Sequence, residues 1–379
     1  MIYLDNAATT WPKPPSVVNA MAKSLVRFGA NPGRGGHTMA METAKEVYLC
    51  RETLAEFFGA DDPAQVIFTA NCTMSLNMVI KGLLLGGGHA VVSDMEHNAV
   101  IRPLHALAEY GVTYTTAHVC ENDPQKTVEN FRRAICPQTK LLLCTHASNV
   151  FGNVLPIREL GALAHRYGIP FAVDAAQSGG HLPIHMRRDN IDFLCLPGHK
   201  GLYGPMGTGV LISKSEIPLQ TILQGGTGTA SLEKTQPTAL PERLESGTLN
   251  VPGIVALRAG VLWVKERGRA TIERYETMLL HHFYSLAANT PHVRLYGDLP
   301  KHGGSLLSFN LEGKSAEETA FLLSQEGIAV RAGLHCAPSA HAHNKTLPNG
   351  TVRMSLSAFN TRHDVDTLHK MLIKILRKP

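Results

Sequence analysis

Two residues stand where packing gives them no reason to be. Asp174 closes the apolar run Phe171-Ala172-Val173 and is followed by Ala175-Ala176-Gln177. Lys200 comes 26 residues later, in Pro197-Gly198-His199-Lys200-Gly201-Leu202-Tyr203-Gly204-Pro205, directly after the apolar run Phe193-Leu194-Cys195-Leu196. A lysine flanked by glycines has a permissive backbone, and the turn after a buried strand lies at the edge of a sheet where ligands bind. An amine there is a nucleophile for carbonyl groups, and a carboxylate at another strand end favours a nearby cation. Taken singly, a surface lysine and a helix-capping aspartate remain plain alternatives. Cys336 is the third such residue, in Arg331-Ala332-Gly333-Leu334-His335-Cys336-Ala337-Pro338, a segment bracketed by Gly, His and Pro like a functional loop. Its plain alternative is a thiol kept for packing.

These residues need a sheet to position them, and the chain supplies one. From about residue 60 to 215, short apolar runs alternate with helical patterns, the signature of a parallel sheet with crossover helices. Strands are predicted at 66–68, 90–93, 112–116, 140–145, 171–173, 193–196 and 209–212, with helices at 75–85, 101–110, 128–135 and 157–167. Asn149 joins Asp174 and Lys200 among the polar residues that follow a strand. After residue 250 the pattern changes to a helix at 255–267, a strand at 303–310, a helix at 316–325, a strand and loop at 328–338, a strand at 351–357 and a last helix. That predicts a smaller α+β domain.

The 379 residues are 44% hydrophobic and 18% charged, enough apolar material for two globular domains and too much for disorder. No apolar run reaches the length of a membrane helix, and Met1-Ile2-Tyr3-Leu4-Asp5-Asn6 has neither the basic nor the apolar region of a signal peptide. A soluble cytoplasmic protein without a membrane partner is expected. The net charge of +5 is spread along the chain, which argues against nucleic acid. The basic last stretch, His369 to Lys378, reads as a docked amphipathic helix whose cations complement its dipole. Seven cysteines, an odd number without a C-x-x-C pair, suggest neither a disulfide framework nor a zinc site, so no metal is expected. Six of them are expected as buried hydrophobes, with Cys336 the exception.

Together Asp174 and Lys200 resemble the two anchors of a pyridoxal-phosphate enzyme. The resemblance becomes specific along nearly the whole chain. It runs through Tyr3 to Thr10, Asn31-Pro32-Gly33-Arg34-Gly35-Gly36-His37, Phe68 to Asn77, Glu96-His97-Asn98-Ala99, and Ser148-Asn149-Val150-Phe151-Gly152-Asn153. It continues through Asp174 to Gln177, His199-Lys200, Glu245-Ser246-Gly247-Thr248-Leu249-Asn250, Arg331 to Pro338, and Val352-Arg353-Met354-Ser355. In this order the segments resemble the class V aminotransferase family and, within it, the short-loop subgroup of the cysteine desulfurase and selenocysteine lyase branch.

The resemblance implies the α/β fold of type I pyridoxal-phosphate-dependent transferases. A large domain with a seven-stranded, mostly parallel sheet would span residues 16–250, and a small α+β domain would combine 1–15 with 251–379. It implies pyridoxal 5'-phosphate as cofactor, with Lys200 as the Schiff-base lysine, Asp174 on the ring nitrogen, Gln177 on the ring hydroxyl and His97 stacked on the ring; a satisfied core histidine is the plain alternative for the last. The phosphate would be held by Cys72 through its backbone, by Thr73 and by His199. Pro197 stands where many relatives have Ser, so one phosphate contact is missing or replaced.

Arg353, assisted by Asn149, would clamp the substrate carboxylate, and Arg331 would line the same entrance, structural ion pairs being the alternative for both arginines. Thr248 would complete the phosphate site of a second subunit, which implies a homodimer; otherwise it caps the helix that follows. The implied reaction converts L-cysteine to L-alanine. Lys200 moves the Cα proton, and Cys336, on a loop expected to move at Gly333, takes the sulfur as a persulfide and passes it to an acceptor protein. Selenocysteine lyase, with L-selenocysteine as substrate and selenium for the acceptor, shares every residue named. Transamination has no use for a placed cysteine, and an idle scaffold or sulfur-carrier subunit has no need of Lys200, Asp174, His97 and Arg353.

Overall fold

The computed structural model describes residues 1–33, 35–297 and 304–377. Arg34, the Gly303 start of one predicted strand and Lys378 lie outside the described residues. The chain opens with β1 (Ile2–Tyr3), α1 (Pro15–Arg27) and α2 (Thr38–Phe58). It then alternates through β2 (Val66–Thr69), α3 (Cys72–Leu84), β3 (Gly88–Ser93), α4 (Asn98–Ala106), β4 (Val112–Ala117), α5 (Pro124–Ala134), β5 (Thr139–Thr145) and α6 (Ile157–Arg166). Three strands follow, β6 (Phe171–Asp174), β7 (Phe193–Pro197) and β8 (Gly209–Ser213). The last third contributes α7 (Val251–Arg267), α8 (Arg269–Ala287), β9 (Val293–Tyr296), β10 (Leu306–Leu311) and α9 (Ala316–Gln325). It closes with β11 (Ile328–Ala329), β12 (Arg331–Gly333), α10 (Pro338–His343), β13 (Thr351–Ser355) and α11 (Arg362–Leu376).

The seven strands predicted before residue 215 are the seven strands of one sheet, in the order β2-β8-β7-β6-β5-β3-β4. Five of them, β7 through β4, run parallel, while β8 is antiparallel to both its neighbours. Every residue of β2, β6, β7 and β8 is buried, as expected for a sheet covered on both faces. The period of two sorts their side chains: Val66 and Phe68 enter one core, and Ile67 enters the other. Ser93, Thr145, Asp174 and Pro197 end the four adjacent strands β3, β5, β6 and β7 on one edge.

A second sheet, β12-β13-β10-β9, is antiparallel and shares a third core with Leu4, α8, α9 and α11. Strand β1 pairs in parallel with β11, tying the N-terminus to this layer. Helix α7 packs on the first core through Val251, Ile254, Leu257 and Val261. Helix α11 docks by Val365, Leu368, Leu372 and Ile375, and its start carries a Thr361–Asp364 capping box.

Spacing alone does not reveal α2, because its buried face includes Thr43, Arg51 and Thr53 beside the apolar residues. Arg51 is satisfied there by a two-pronged ion pair with Glu245 at 2.6 and 2.8 Å and lies over the Phe68 ring. Helix α3 begins at Cys72 and not near Ser75, because the Asn71 side chain accepts the Met74 N–H at 2.9 Å and caps the earlier turn. Cys120 and Cys136 are half-buried, in the loops after β4 and α5, and not enclosed like Cys50, Cys72, Cys144 and Cys195.

The turn after β6 and the turn after β7 touch backbone to backbone. A Cβ on Gly180, whose φ is +92°, would fall on the Gly201 carbonyl, and one on Gly201 would fall on the Gly179 carbonyl. Gly180→Ala is therefore expected to cost about 3 kcal/mol, combining left-handed strain with overpacking. Gly247→Ala has a similar φ of +91° but open space around it, and should cost only about 1 kcal/mol. Urea unfolding of the two variants checks this; equal losses would show that the close approach does not matter.

Candidate active site

Asp174 ends β6 opposite Thr145 of β5 and Cys195 of β7 and is 3% exposed. Its Oδ1 accepts the Ala176 N–H at 2.9 Å and the Cys72 thiol at 3.5 Å. Burial, with the Asp174 charge adding to it, pushes the Cys72 thiol well above its usual range, so it stays a protonated donor. Lys200 reaches the same space from the turn after β7. Burial, reinforced by the charge of Arg353 and opposed by that of Asp174, brings its amine down to about 8.

The N-terminal segment holds that turn: the His199 carbonyl accepts from Thr10 N–H at 3.1 Å and from Lys13 Nζ at 2.7 Å. Gln177 is held similarly, donating from Nε2 to the Ala7 carbonyl at 3.0 Å.

Asp174, Gln177 and Lys200 line one pocket together with Cys72, Thr73, His97, Asn149, Pro197 and His199. Cys72 and Thr73 form the first turn of α3, whose N–H groups have no intrahelical partner and favour an anion. His199 is held neutral, down to about 4, by burial and by the charges of Lys200 and Lys13. Its Nδ1 is buried and finds no hydrogen-bond partner among the described residues. His97 caps α4, its Nδ1 accepting the Ala99 N–H at 3.0 Å, and burial lowers its pKa. A helix start and an unpaired imidazole nitrogen beside it, a buried carboxylate and an amine brought down to about 8 together suit an aromatic aldehyde carrying a phosphate and a cationic ring nitrogen.

Cys336 lies in an adjoining groove that shares Thr73, His97 and Ala99 with the pocket. It is exposed, and the Arg331 Nη2 stands 3.9 Å from its Sγ. His335 and Cys336 both have left-handed backbones, at φ +49° and +58°, a conformation costly for residues with a Cβ. Hydrogen bonds hold them there. Asn149 Nδ2 donates to the His335 carbonyl at 2.7 Å, Asn98 N–H donates to the Cys336 carbonyl at 2.7 Å, and His335 Nε2 donates to the Thr351 carbonyl at 3.0 Å. The loop is thus pinned at each of its two left-handed residues, whereas the position of Gly333 alone predicts freedom; Gly333 belongs to β12.

Arg353 faces Arg331 across the β12–β13 pair and is 1% exposed. It donates from Nη1 to the Asn149 carbonyl and from Nη2 to Asp5 Oδ1, both at 2.8 Å, while its Nε has no partner among the described residues. Thr248 lies outside the pocket, exposed, and accepts from Asn31 Nδ2 at 3.3 Å.

The family model described as "Aminotransferase class-V" matches residues 2–368. The chain belongs to the class V aminotransferase family. This family is pyridoxal-phosphate-dependent, in keeping with the pocket just described. The class V chain is 32% identical to a probable cysteine desulfurase of Methanothermobacter thermautotrophicus, with 99% of this chain and 94% of that one covered. It is also 32% identical to a probable cysteine desulfurase of Synechocystis sp., with 100% and 91% covered. Its fold superposes on the apo structure of cysteine desulfurase from Thermococcus onnurineus NA1 with a TM-score of 0.92 at 32% identity, covering 100% of this chain and 95% of that one.

Four contributors to the candidate site carry no signal of role in the sequence. Asp5 and Lys13 lie far away in the chain from the Arg353 and His199 that they meet. The Cys72 thiol gains its role only by meeting Asp174. Glu96 is fully buried, accepting from Ser93 and from the Thr145 N–H, and its burial raises its carboxyl to about 8.

The lowered Lys200 pKa has a testable consequence. Only the neutral amine attacks an aldehyde, so pyridoxal 5'-phosphate should attach to cofactor-free protein about tenfold faster per pH unit below pH 8 and at a constant rate above it. Absorbance in the near-visible follows the attachment; a rate still climbing towards pH 10 would contradict the shifted amine.

Proposed function

We propose that this protein is a pyridoxal-phosphate-dependent cysteine desulfurase that converts L-cysteine to L-alanine and receives the sulfur on Cys336. The observation that carries the reading is the exposed Cys336 thiol, held on a pinned left-handed loop in a groove continuous with the Lys200 pocket. The cysteine desulfurase relatives, alike over nearly their full length, support it.

The cofactor, when bound, supplies an electron sink for the substrate α-carbon. Asp174 would keep the ring nitrogen protonated, His97 would cover the ring, and Gln177, already fixed by Ala7, would face its hydroxyl. The first-turn N–H groups of Cys72 and Thr73 and the unpaired Nδ1 of His199 would bind the phosphate. With Pro197 offering no hydroxyl, that imidazole carries more of the load.

Arg353 would take the substrate carboxylate, with Asn149 and Asp5 fixing the guanidinium and Arg331 guarding the entrance. Lys200, with an amine near 8, is suited to remove and return a proton at Cα close to neutral pH. Cys336 as thiolate then attacks the substrate sulfur: a sulfur–sulfur bond forms, the carbon–sulfur bond breaks, and the carbon skeleton collects a proton to become alanine. The product persulfide is exposed and within reach of an acceptor protein. Thr248, exposed and outside its own pocket, would complete the phosphate site of a second subunit.

Cys336→Ala should abolish alanine release from L-cysteine while sparing much of the release from L-selenocysteine, whose weaker carbon–selenium bond needs less help, and should leave cofactor absorbance unchanged. Desulfuration at the wild-type rate would refute the role of Cys336. For the subunit-shared site, wild-type protein should lose cofactor on dilution, and Thr248→Ala should bind it roughly tenfold more weakly, the value of one charge-assisted hydrogen bond. A cofactor-saturated monomer in sedimentation would exclude the shared site.

A further inference from the structure

Away from the pocket, three side chains from three distant segments converge on one point. Asp94 directly follows β3, His118 directly follows β4, and His343 ends α10. Asp94 Oδ2 lies 2.8 Å from His118 Nδ1 and 2.7 Å from His343 Nδ1. The two imidazoles are stacked, with ring centroids 4.6 Å apart and planes 22° from parallel, so the same nitrogen of each faces the same oxygen. The three donor atoms all lie within 4.8 Å of one another.

The surroundings hold these groups in place. Asp94 Oδ1 accepts the Val119 N–H at 3.0 Å, which fixes the carboxylate with its other oxygen turned to the histidines. The His118 carbonyl accepts from Asn130 Nδ2 at 2.9 Å. The Asp94 and His343 side chains are 16% and 10% exposed, whereas that of His118 is 64% exposed and leaves one side open to water.

From this convergence we propose that Asp94, His118 and His343 form a binding site for a divalent first-row transition metal such as Zn²⁺. Two neutral imidazoles and a carboxylate are a donor set that such ions take, with water in the remaining position. Without an ion the Nδ1–H groups bond to Asp94. An ion replaces those hydrogen bonds once each imidazole carries its proton on Nε2. Ligand atoms about 2.0–2.2 Å from a tetrahedral metal are about 3.3–3.6 Å apart, so each nitrogen–oxygen contact opens by about 0.5–0.9 Å, a movement within reach of the exposed His118.

The position gives the ion a purpose. His343 ends the helix that begins two residues after Cys336, and Asp94 stands three residues before His97. A bound ion would clamp the helix behind the sulfur-accepting loop onto the edge of the large sheet. The site escapes a reading of cysteine and histidine spacing because its ligands are far apart along the chain.

The test is a titration of cofactor-loaded protein with Zn²⁺ against a chromophoric chelator, together with the thermal midpoint. Wild-type protein and Cys336→Ala, which removes the exposed thiol as a competing ligand, should each bind one ion tightly and gain thermal stability from it. His118→Gln, a change on an exposed side chain that leaves the fold and the cofactor absorbance intact, and His343→Ala should each weaken binding at least tenfold and abolish the thermal gain. Zn²⁺ binding that survives His118→Gln unchanged, or that disappears with Cys336→Ala, would overturn the proposal, as would the absence of tight binding in the wild type.

Discussion

The candidate site of this protein rests on the close approach of two backbone turns. Strands β6 and β7 are parallel neighbours in register, Asp174 opposite Cys195, so the turns that follow them leave the sheet on the same edge. The turns then pack main chain against main chain, Gly180 against the Gly201 carbonyl and Gly201 against the Gly179 carbonyl. The lysine next to Gly201 and the aspartate ahead of Gly179 are thereby set in one buried space. Everything else at the site is arranged around that pair.

Burial brings the Lys200 amine down and also creates a burden for the rest of the fold. Lys200 is shifted towards neutrality by desolvation, yet two more cations, Arg353 and Arg331, belong to the same region. Arg353 is kept inside by Asp5 and by the Asn149 carbonyl, which recruits the N-terminal segment as a counter-charge and strap. The same segment holds the lysine turn through Thr10 and Lys13. The parallel pairing of β1 with β11 keeps this strap in place. An opening stretch of about a dozen residues thus joins the two layers across the pocket.

A second kind of constraint acts on the thiol. Its loop takes two consecutive left-handed residues, which a chain adopts only where neighbours overdetermine it. Asn98 starts α4 and Asn149 follows β5, both beside the large sheet, and His335 comes from the loop itself, so the position of Cys336 depends on how the second sheet's layer sits against the large sheet. The Asp94, His118 and His343 cluster lies across the same junction, one helix further along.

All seven strands of the large sheet were legible in the sequence, since strands buried on both faces are written as short apolar runs between helical patterns. Asp174, Lys200 and Cys336 stand out there as candidates, because an ionisable group at the end of an apolar run, or in a segment bracketed by Gly, His and Pro, contradicts its surroundings. Partners that meet only after folding were not legible. The Asp5–Arg353 ion pair, the Cys72 thiol on Asp174, the Glu245–Arg51 anchor and the grouping of Asp94 with two histidines join residues from about 100 to 350 positions apart or from separate strand ends. Helix α2 stayed hidden for the same reason: its buried Arg51 reads as a surface residue until Glu245 arrives to pair it. Local pattern records which side of an element faces water, and so determines strands, helices and exceptional residues. Which charge neutralises which, and where the thiol points, is decided by the packing of layers that the linear order does not record.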